Sequence, residues 1–118
     1  MTRKEFEAQN GLENNLEQQD IAAVEEDGYA IQYIKNPSEK VQLAAVKQHG
    51  RVIQYIKNPS EKVQLAAVEE DGYAIKYIKK PSEMIMGAAV SQNPNAYKYF
   101  KDKWFDKVVT SVVINICL

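Results

Sequence analysis

An identical internal duplication is the feature that most constrains the fold of this chain. Residues 32–46 read QYIKNPSEKVQLAAV and residues 54–68 repeat every letter, while AAVEEDGYAI occurs at residues 22–31 and again at residues 66–75. A single period of 22 residues relates all of these copies. Periods of this length are typical of solenoids, in which each unit cannot bury its own apolar face and must stack on its neighbours.

The period divides the 118 residues into units and caps within one domain. We assign an N-terminal cap to residues 1–15, repeats to residues 16–37, 38–59, 60–81 and 82–103, and a C-terminal cap to residues 104–118. Both ends match the motif poorly, as expected of terminal units that face water on one side. We expect helix from about Glu13 onward into the first unit.

The first half of each unit predicts an α-helix, which residues 39–48 illustrate. Ser38 suits the N-cap position, Glu39 suits the positive end of the helix dipole, and Pro37 ends the preceding element. Apolar residues cover a wide arc of this segment, which favours a helix packed between neighbouring units over a surface helix with one buried stripe.

The second half of each unit predicts another short helix. A polar residue precedes glycine in three units and proline in the fourth, as Asp27-Gly28, His49-Gly50, Asp71-Gly72 and Asn93-Pro94. Because proline holds φ near about −65°, the aligned glycines do not need a left-handed conformation. We interpret these pairs as an N-cap and a first helical position. The helix should cover about residues 51–57 in the second unit, with Val52, Ile53 and Ile56 pointing inward.

These elements predict an all-α fold, a small right-handed α-solenoid of 22-residue helix-turn-helix repeats with atypical terminal caps. A β-α solenoid of the leucine-rich type is the alternative, because AIQYIK and VIQYIK are rich in β-branched and aromatic residues. The leucine spacing and asparagine ladder of such repeats are missing from the sequence, so we favour the helical fold.

The units resemble a known family of tandem repeats. The pattern P-S-E-x-V-Q-L-A-A-V-x-Q-[NDH]-[GP]-x-A-I-x-Y-I-K-N is matched nearly throughout by residues 37–56 and 59–79. Residues 81–101 depart from it at Met86, Gly87, Tyr97 and Phe100. This pattern is similar to the short α-hairpin repeats of bacterial and phage proteins known as domain of unknown function 4116. The resemblance implies a helical solenoid with an interaction role and no catalytic residues.

The composition limits the cellular compartments and the classes of partner that we expect for this chain. A net charge of −1 argues against a dedicated binder of polyanions. One cysteine, Cys117, allows no internal disulfide, which favours a reducing cytoplasm. The polar N-terminal segment is not a signal peptide, and the apolar tail at residues 108–118 is too short to cross a membrane.

No catalytic motif occurs in the sequence. His49 is the one histidine and lies in a turn, so zinc sites of the usual Cys/His type are excluded. The phosphate-binding glycine motifs and the G-x-S-x-G elbow are missing as well. The acidic clusters at residues 25–27 and 69–71 are interpreted as helix ends rather than as acid/base or calcium sites. We therefore expect no enzyme activity, metal or cofactor.

The leading functional hypothesis is a module that binds another protein. The turns are where otherwise identical units disagree, and the first unit carries five acidic residues against one basic, the second four basic against one acidic. Charge complementarity at these turns suits a protein partner. The resemblance further implies a phage or mobile-element protein that inhibits a host defence factor. The candidate residues are Glu17, Asp20, Glu25, Glu26, Asp27, Lys47, His49, Arg51, Glu69, Glu70, Asp71 and Tyr73.

Two alternatives use other residues. Rows of tyrosine and lysine recur once per unit and could stack bases and hold phosphates of a nucleic acid: Tyr33, Tyr55, Tyr77, Tyr99, Lys35, Lys57, Lys79 and Lys101. The C-terminal segment could instead support self-assembly or a homodimer through an apolar set: Trp104, Val109, Val112, Val113 and Ile116.

Overall fold

The computed structural model describes the backbone of residues 12–101 and the side chains of residues 16–101. Across this part of the chain, α-helices alternate with 3₁₀ helices and no strand occurs. The order is α1 (Leu12–Glu26), η1 (Gly28–Tyr33), α2 (Glu39–Gln48), η2 (Gly50–Tyr55), α3 (Glu61–Glu70), η3 (Gly72–Tyr77), α4 (Glu83–Gln92) and η4 (Pro94–Tyr99). The predicted all-α repeat fold is confirmed, and the β-α alternative is wrong.

The three later α-helices begin where the serines predict. Ser38, Ser60 and Ser82 each have extended backbone and accept a hydrogen bond from the backbone N–H three residues on, at 3.3 Å. An N-cap of this kind stabilises a helix by about 1 kcal/mol. The predicted helix over residues 39–48 is confirmed at both ends.

The second helix of each unit differs from the prediction in type and length. In the second unit it is a 3₁₀ helix over Gly50–Tyr55, so it starts one residue earlier and ends two residues earlier than residues 51–57. A 3₁₀ helix has three residues per turn and places residues three apart on one face. Ile53 and Ile56 share such a face, both are buried, and the Ile56 N–H donates to the Ile53 carbonyl at 3.0 Å. The 3₁₀ spacing therefore accommodates the burial of both isoleucines.

Equivalent apolar residues of successive units form one continuous core. Each α-helix contacts the next α-helix and each 3₁₀ helix contacts the next 3₁₀ helix, so the described units stack in one array. Fully burying one such side chain contributes about 1.5–3 kcal/mol. The buried rows include Val24, Val46 and Val68; Val41, Val63 and Ile85; Ala45, Ala67 and Ala89; and Ile31, Ile53 and Ile75.

The glycines that open the 3₁₀ helices allow neighbouring units to approach closely. None of the three has a left-handed φ, which agrees with their alignment to Pro94. A Cβ atom at these positions would meet a carbonyl oxygen of the following α-helix: at 2.9 Å from Gly28 to Ala45, 2.3 Å from Gly50 to Ala67 and 2.6 Å from Gly72 to Ala89. The glycines are therefore needed for contact between units rather than for the turn itself.

The loops that join one unit to the next place an asparagine in an unusual conformation. Asn36 and Asn58 have φ of 53° and 52°, a left-handed region that asparagine tolerates better than most residues. The equivalent Lys80 does not adopt a positive φ. The third loop therefore differs from the first two in both sequence and backbone.

Candidate functional site

The first candidate surface is the turn face, formed by residues 25–29, 47–51, 69–73 and 91–95, where each α-helix ends and a 3₁₀ helix begins. It holds a shallow concavity of about 420 Å³. Four of the residues that the sequence selects line it together: His49, Arg51, Glu70 and Asp71. The structure therefore brings turns from neighbouring units into one surface.

An ion pair on the turn face links the second and third units. The Arg51 Nε atom lies 2.6 Å from Asp71 Oδ2, and their side chains are 44% and 28% exposed. The hydrogen bond and the charge of Asp71 raise the pKa of Arg51 above its ordinary value. The other carboxylate oxygen of Asp71 accepts from the Tyr73 N–H at 3.0 Å and caps η3. Both oxygens of Asp71 thus serve contacts within the array.

Aromatic rings also connect consecutive units at this face. The Tyr29 ring lies 5.2 Å from the His49 ring and 6.2 Å from the Tyr55 ring, measured between centroids. The Arg51 guanidinium lies 5.6 Å from the centroid of Tyr73, whose ring packs edge-on against Tyr99 at 5.7 Å. Of the selected turn residues, His49, Arg51 and Tyr73 therefore already have partners within the molecule.

The acidic residues of the first unit do not form one patch. The Glu17 carboxylate accepts from the Ser38 hydroxyl at 2.5 Å, and the equivalent Glu61 accepts from Ser82 at 3.1 Å. Glu17 therefore takes part in a contact with the N-cap serine of the next unit, and the same contact recurs two units later. Eight residues of helix, about 12 Å along the axis, separate it from Glu25. Asp27 caps η1 by accepting from the Tyr29 N–H at 3.0 Å.

Exposed charges remain on the turn face and alternate in sign along the array. Glu25 and Glu26 in the first unit, Lys47 in the second, and Glu69 and Glu70 in the third are all exposed, whereas Asp20 on α1 is half-buried. This alternation suits contact between units as well as contact with a partner. That these turn residues bind a partner remains a prediction.

The second candidate surface is a groove between the second and third units, named here the Tyr–Lys groove. It has a volume of about 840 Å³ and lies along the ends of η2 and η3 and the loops that follow them. The structure brings together four residues of the predicted rows here: Tyr55, Tyr77, Lys57 and Lys79. The remaining lining residues are Ile53, Gln54, Ile56, Asn58, Pro59, Gln64, Ile78 and Lys80.

The groove is positively charged and has a rigid base. Three lysines line it, and none of the described residues that line it is acidic. Ile56 and Ile78 are 7% and 8% exposed and anchor its base in the core. The Gln64 side chain donates from Nε2 to the Pro59 carbonyl at 3.0 Å, which ties the loop to α3. The lysines are thus held on a well-packed frame.

Lys80 is the groove residue that the sequence interpretation missed. It stands where the two earlier units have Asn36 and Asn58, and it lies outside the lysine row. Aligning the units with one another could have identified Lys80, because a lysine there replaces the asparagine that precedes the recurring proline in the two earlier units. The substitution gives this groove its third lysine.

The tyrosine rings of the row are partly engaged by neighbours. The Lys76 ammonium lies 5.0 Å from the centroid of Tyr77, and the Lys98 ammonium lies 5.2 Å from that of Tyr99. Tyr55 meets Tyr29 edge-on, whereas Tyr33 is 84% exposed. Lys35 and Lys101 are exposed and do not line the groove.

Trp104, Val109, Val112, Val113 and Ile116 lie outside the described residues. Within residues 12–101, no group of three or more His, Cys, Asp or Glu side chains is placed to hold a metal ion. The described helices include none that is both long and apolar enough to span a membrane.

Comparison with known proteins adds no relative to this picture. No family model, curated protein or solved structure matches the chain. The membership that the repeat pattern suggests therefore stays a prediction.

Proposed function

We propose that this chain is a non-catalytic module that binds another protein, and that a segment of the partner lies in the Tyr–Lys groove. The observation that carries the proposal is the groove itself. It gathers Lys57, Lys79 and Lys80 around exposed tyrosine surface, and no acidic residue occurs among the described residues that line it. Tyrosine supplies a large, rigid ring with a polar hydroxyl, a combination that is common at protein interfaces.

The repeat architecture supports an interaction role. Equivalent positions recur once per unit, so a partner that follows the array meets similar side chains at regular intervals. On the turn face, His49, Arg51, Asp71 and Tyr73 serve contacts between units. The groove lysines, in contrast, are exposed. We therefore assign partner contact first to the groove and second to the exposed turn charges.

The kind of partner follows from the resemblance to repeats of bacterial and phage proteins. We propose a bacterial host protein as the partner to be tested first, with inhibition of a host defence factor as the biological outcome. This part of the proposal rests on the repeat pattern alone, and the binding surface does not depend on it.

Affinity purification with matched variants tests the proposal. The immobilised chain is incubated with bacterial lysate and the retained proteins are identified by mass spectrometry. Lys57→Glu with Lys80→Glu reverses two groove charges. Lys40→Glu with Lys62→Glu makes the same change in charge on exposed α-helix positions outside the groove.

The expected result is a partner that the wild-type chain and the Lys40/Lys62 variant retain and the Lys57/Lys80 variant loses. A further variant, Glu25→Gln with Glu26→Gln, reports on the turn face while leaving the cap at Asp27 intact. Equal retention by the wild-type chain and every variant, or retention of nothing by any of them, contradicts the proposed groove function.

A further inference from the structure

We infer that the Tyr–Lys groove takes an extended acidic peptide whose carboxylates recur at every third residue. This inference rests on the proposed function and names the chemistry of the partner. Lys57, Lys79 and Lys80 supply ammonium groups to the groove. Carboxylates complement such a surface, and the electrostatic attraction is stronger than at a surface that carries charges of both signs.

The spacing of the lysines selects the spacing of the carboxylates. Lys35, Lys57, Lys79 and Lys101 recur once per unit and are all exposed. Packed helices lie about 8–10 Å apart, so equivalent residues of stacked units recur at about that interval. An extended peptide advances about 3.3–3.6 Å per residue and covers about 10 Å in three residues. One carboxylate in three residues therefore meets one lysine per unit.

The walls of the groove suit a peptide backbone. Tyr55 is 43% exposed and offers both ring surface and a hydroxyl, and Asn58, which also lines the groove, is exposed and offers a side-chain amide. Extended backbone needs hydrogen-bond partners for its N–H and C=O groups, which amides and hydroxyls can supply. Small residues between the carboxylates can pack against the tyrosine rings.

A single-stranded nucleic acid fits the same surface less well. Stacking of bases needs open ring faces, but the Lys76 ammonium already lies 5.0 Å from the centroid of the Tyr77 ring. A nucleic acid also brings a phosphate with every nucleotide, whereas the lysine row offers one cation per unit. These observations favour the peptide.

Two labelled peptides of identical composition test the spacing. The four lysines span three intervals, about 30 Å or about nine extended residues, and four three-residue repeats place one glutamate at each lysine. The spaced peptide repeats Glu-Ser-Gly, and the clustered peptide places all of its glutamates at one end. Fluorescence anisotropy measures the Kd of each for the full chain, with single-stranded oligouridine as a competitor and circular dichroism as a check that every variant is folded.

The expected result is that the spaced peptide binds at least about fivefold more tightly than the clustered one, a difference of about 1 kcal/mol. Lys57→Glu with Lys80→Glu should weaken binding at least about tenfold, and Lys40→Glu with Lys62→Glu should change it less than about twofold. Added salt should weaken binding, because the groove lysines are exposed.

Three outcomes would overturn the inference: equal affinity for the two peptides, an unchanged Kd in the Lys57/Lys80 variant, or tighter binding of oligouridine than of the spaced peptide. If both peptides fail while a lysate partner still requires Lys57 and Lys80, the acidic-peptide inference is wrong and the proposed function stands. If the lysate partner is also independent of these lysines, both are wrong.

Discussion

Gly50→Ala is expected to destabilise the array although alanine is the better helix former. A Cβ atom at Gly50 would lie 2.3 Å from the Ala67 carbonyl oxygen and 3.2 Å from Asp71 Cβ. The oxygen belongs to backbone and cannot rotate away. It also accepts the hydrogen bond from the Asp71 N–H, at 2.9 Å, that ends α3. Relief of the contact therefore requires one unit to move relative to the next.

The size of the effect follows from two opposing contributions. Replacing glycine by alanine within a helix stabilises it by about 0.5–1 kcal/mol. Forcing an extra methyl group into a packed interface costs about 1–3 kcal/mol. Because 2.3 Å is far below ordinary contact, we place the cost near the upper end and expect a net loss of about 2 kcal/mol. For a chain of this size, that corresponds to a fall in Tm of roughly 8 °C.

The chain contains a matched control for this substitution. Gly87 lies within α4, and a Cβ atom added there has no neighbour within 4 Å, so Gly87→Ala should raise stability by about 0.5–1 kcal/mol. Gly28→Ala should cost less than Gly50→Ala, because its contact is longer, at 2.9 Å. Thermal and urea unfolding followed by circular dichroism measure all three. The reasoning is refuted if Gly50→Ala is as stable as Gly87→Ala.

Three further predictions concern the loop at Asn58, the helix cap at Asp71 and the core. Asn58→Ala should cost about 1 kcal/mol in unfolding free energy, because alanine tolerates a left-handed φ poorly, while Asn58→Gly should be nearly neutral; Lys80→Ala serves as the control, and an equal loss there contradicts this account. Asp71→Ala should lower stability by about 1 kcal/mol through the lost cap, and Asp71→Asn, which can still cap η3, should lower Tm by less; equal losses would show that the cap is unimportant. Ile53→Ala should cost about 2–5 kcal/mol in urea unfolding, because Ile53 is 2% exposed; a loss below that range would mean that the core relaxes around the missing side chain.

The pH dependence of the Arg51–Asp71 pair also follows in sign. The pKa of Arg51 is raised in the folded chain by the hydrogen bond to Asp71 and by its charge. A raised pKa means that the contribution of Arg51 to stability is fully present below the ordinary pKa of arginine and is lost only above it. Deprotonation of Arg51 should therefore not change stability near neutral pH. Urea unfolding measured at several pH values near neutrality should therefore give the wild-type chain and Arg51→Gln the same dependence of unfolding free energy on pH.

Local features of the fold were predictable because each depends on residues that are neighbours along the chain. Ser38, Glu39 and Pro37 set the start of α2, and the boundaries at residues 39–48 followed directly. The alignment of Gly50 with Pro94 showed that the turn needs no left-handed φ, which the structure confirms. The 22-residue period and the residues that begin and end each helix were together sufficient to predict the all-α repeat fold.

Features that depend on contact between units were not predictable in the same way. The sequence showed a lysine row but not that Lys57, Lys79 and Lys80 share one groove, since the loop conformation at Asn58 helps to decide it. It placed Arg51 and Asp71 in equivalent turns without showing that they form an ion pair.

The sequence by itself determined the repeat, the N-cap residues of the α-helices and the helical class. Hydrogen bonds and helix propensities act within a few residues of the chain. Only the tertiary structure decided the 3₁₀ form of the second helices, the need for glycine at Gly50 and the position of the groove. Each of these arises where atoms of one unit meet atoms about 20 residues away, as between Gly50 and the Ala67 carbonyl oxygen. Those distances are set by how closely the stacked units pack, and the periodic pattern of residues does not specify them.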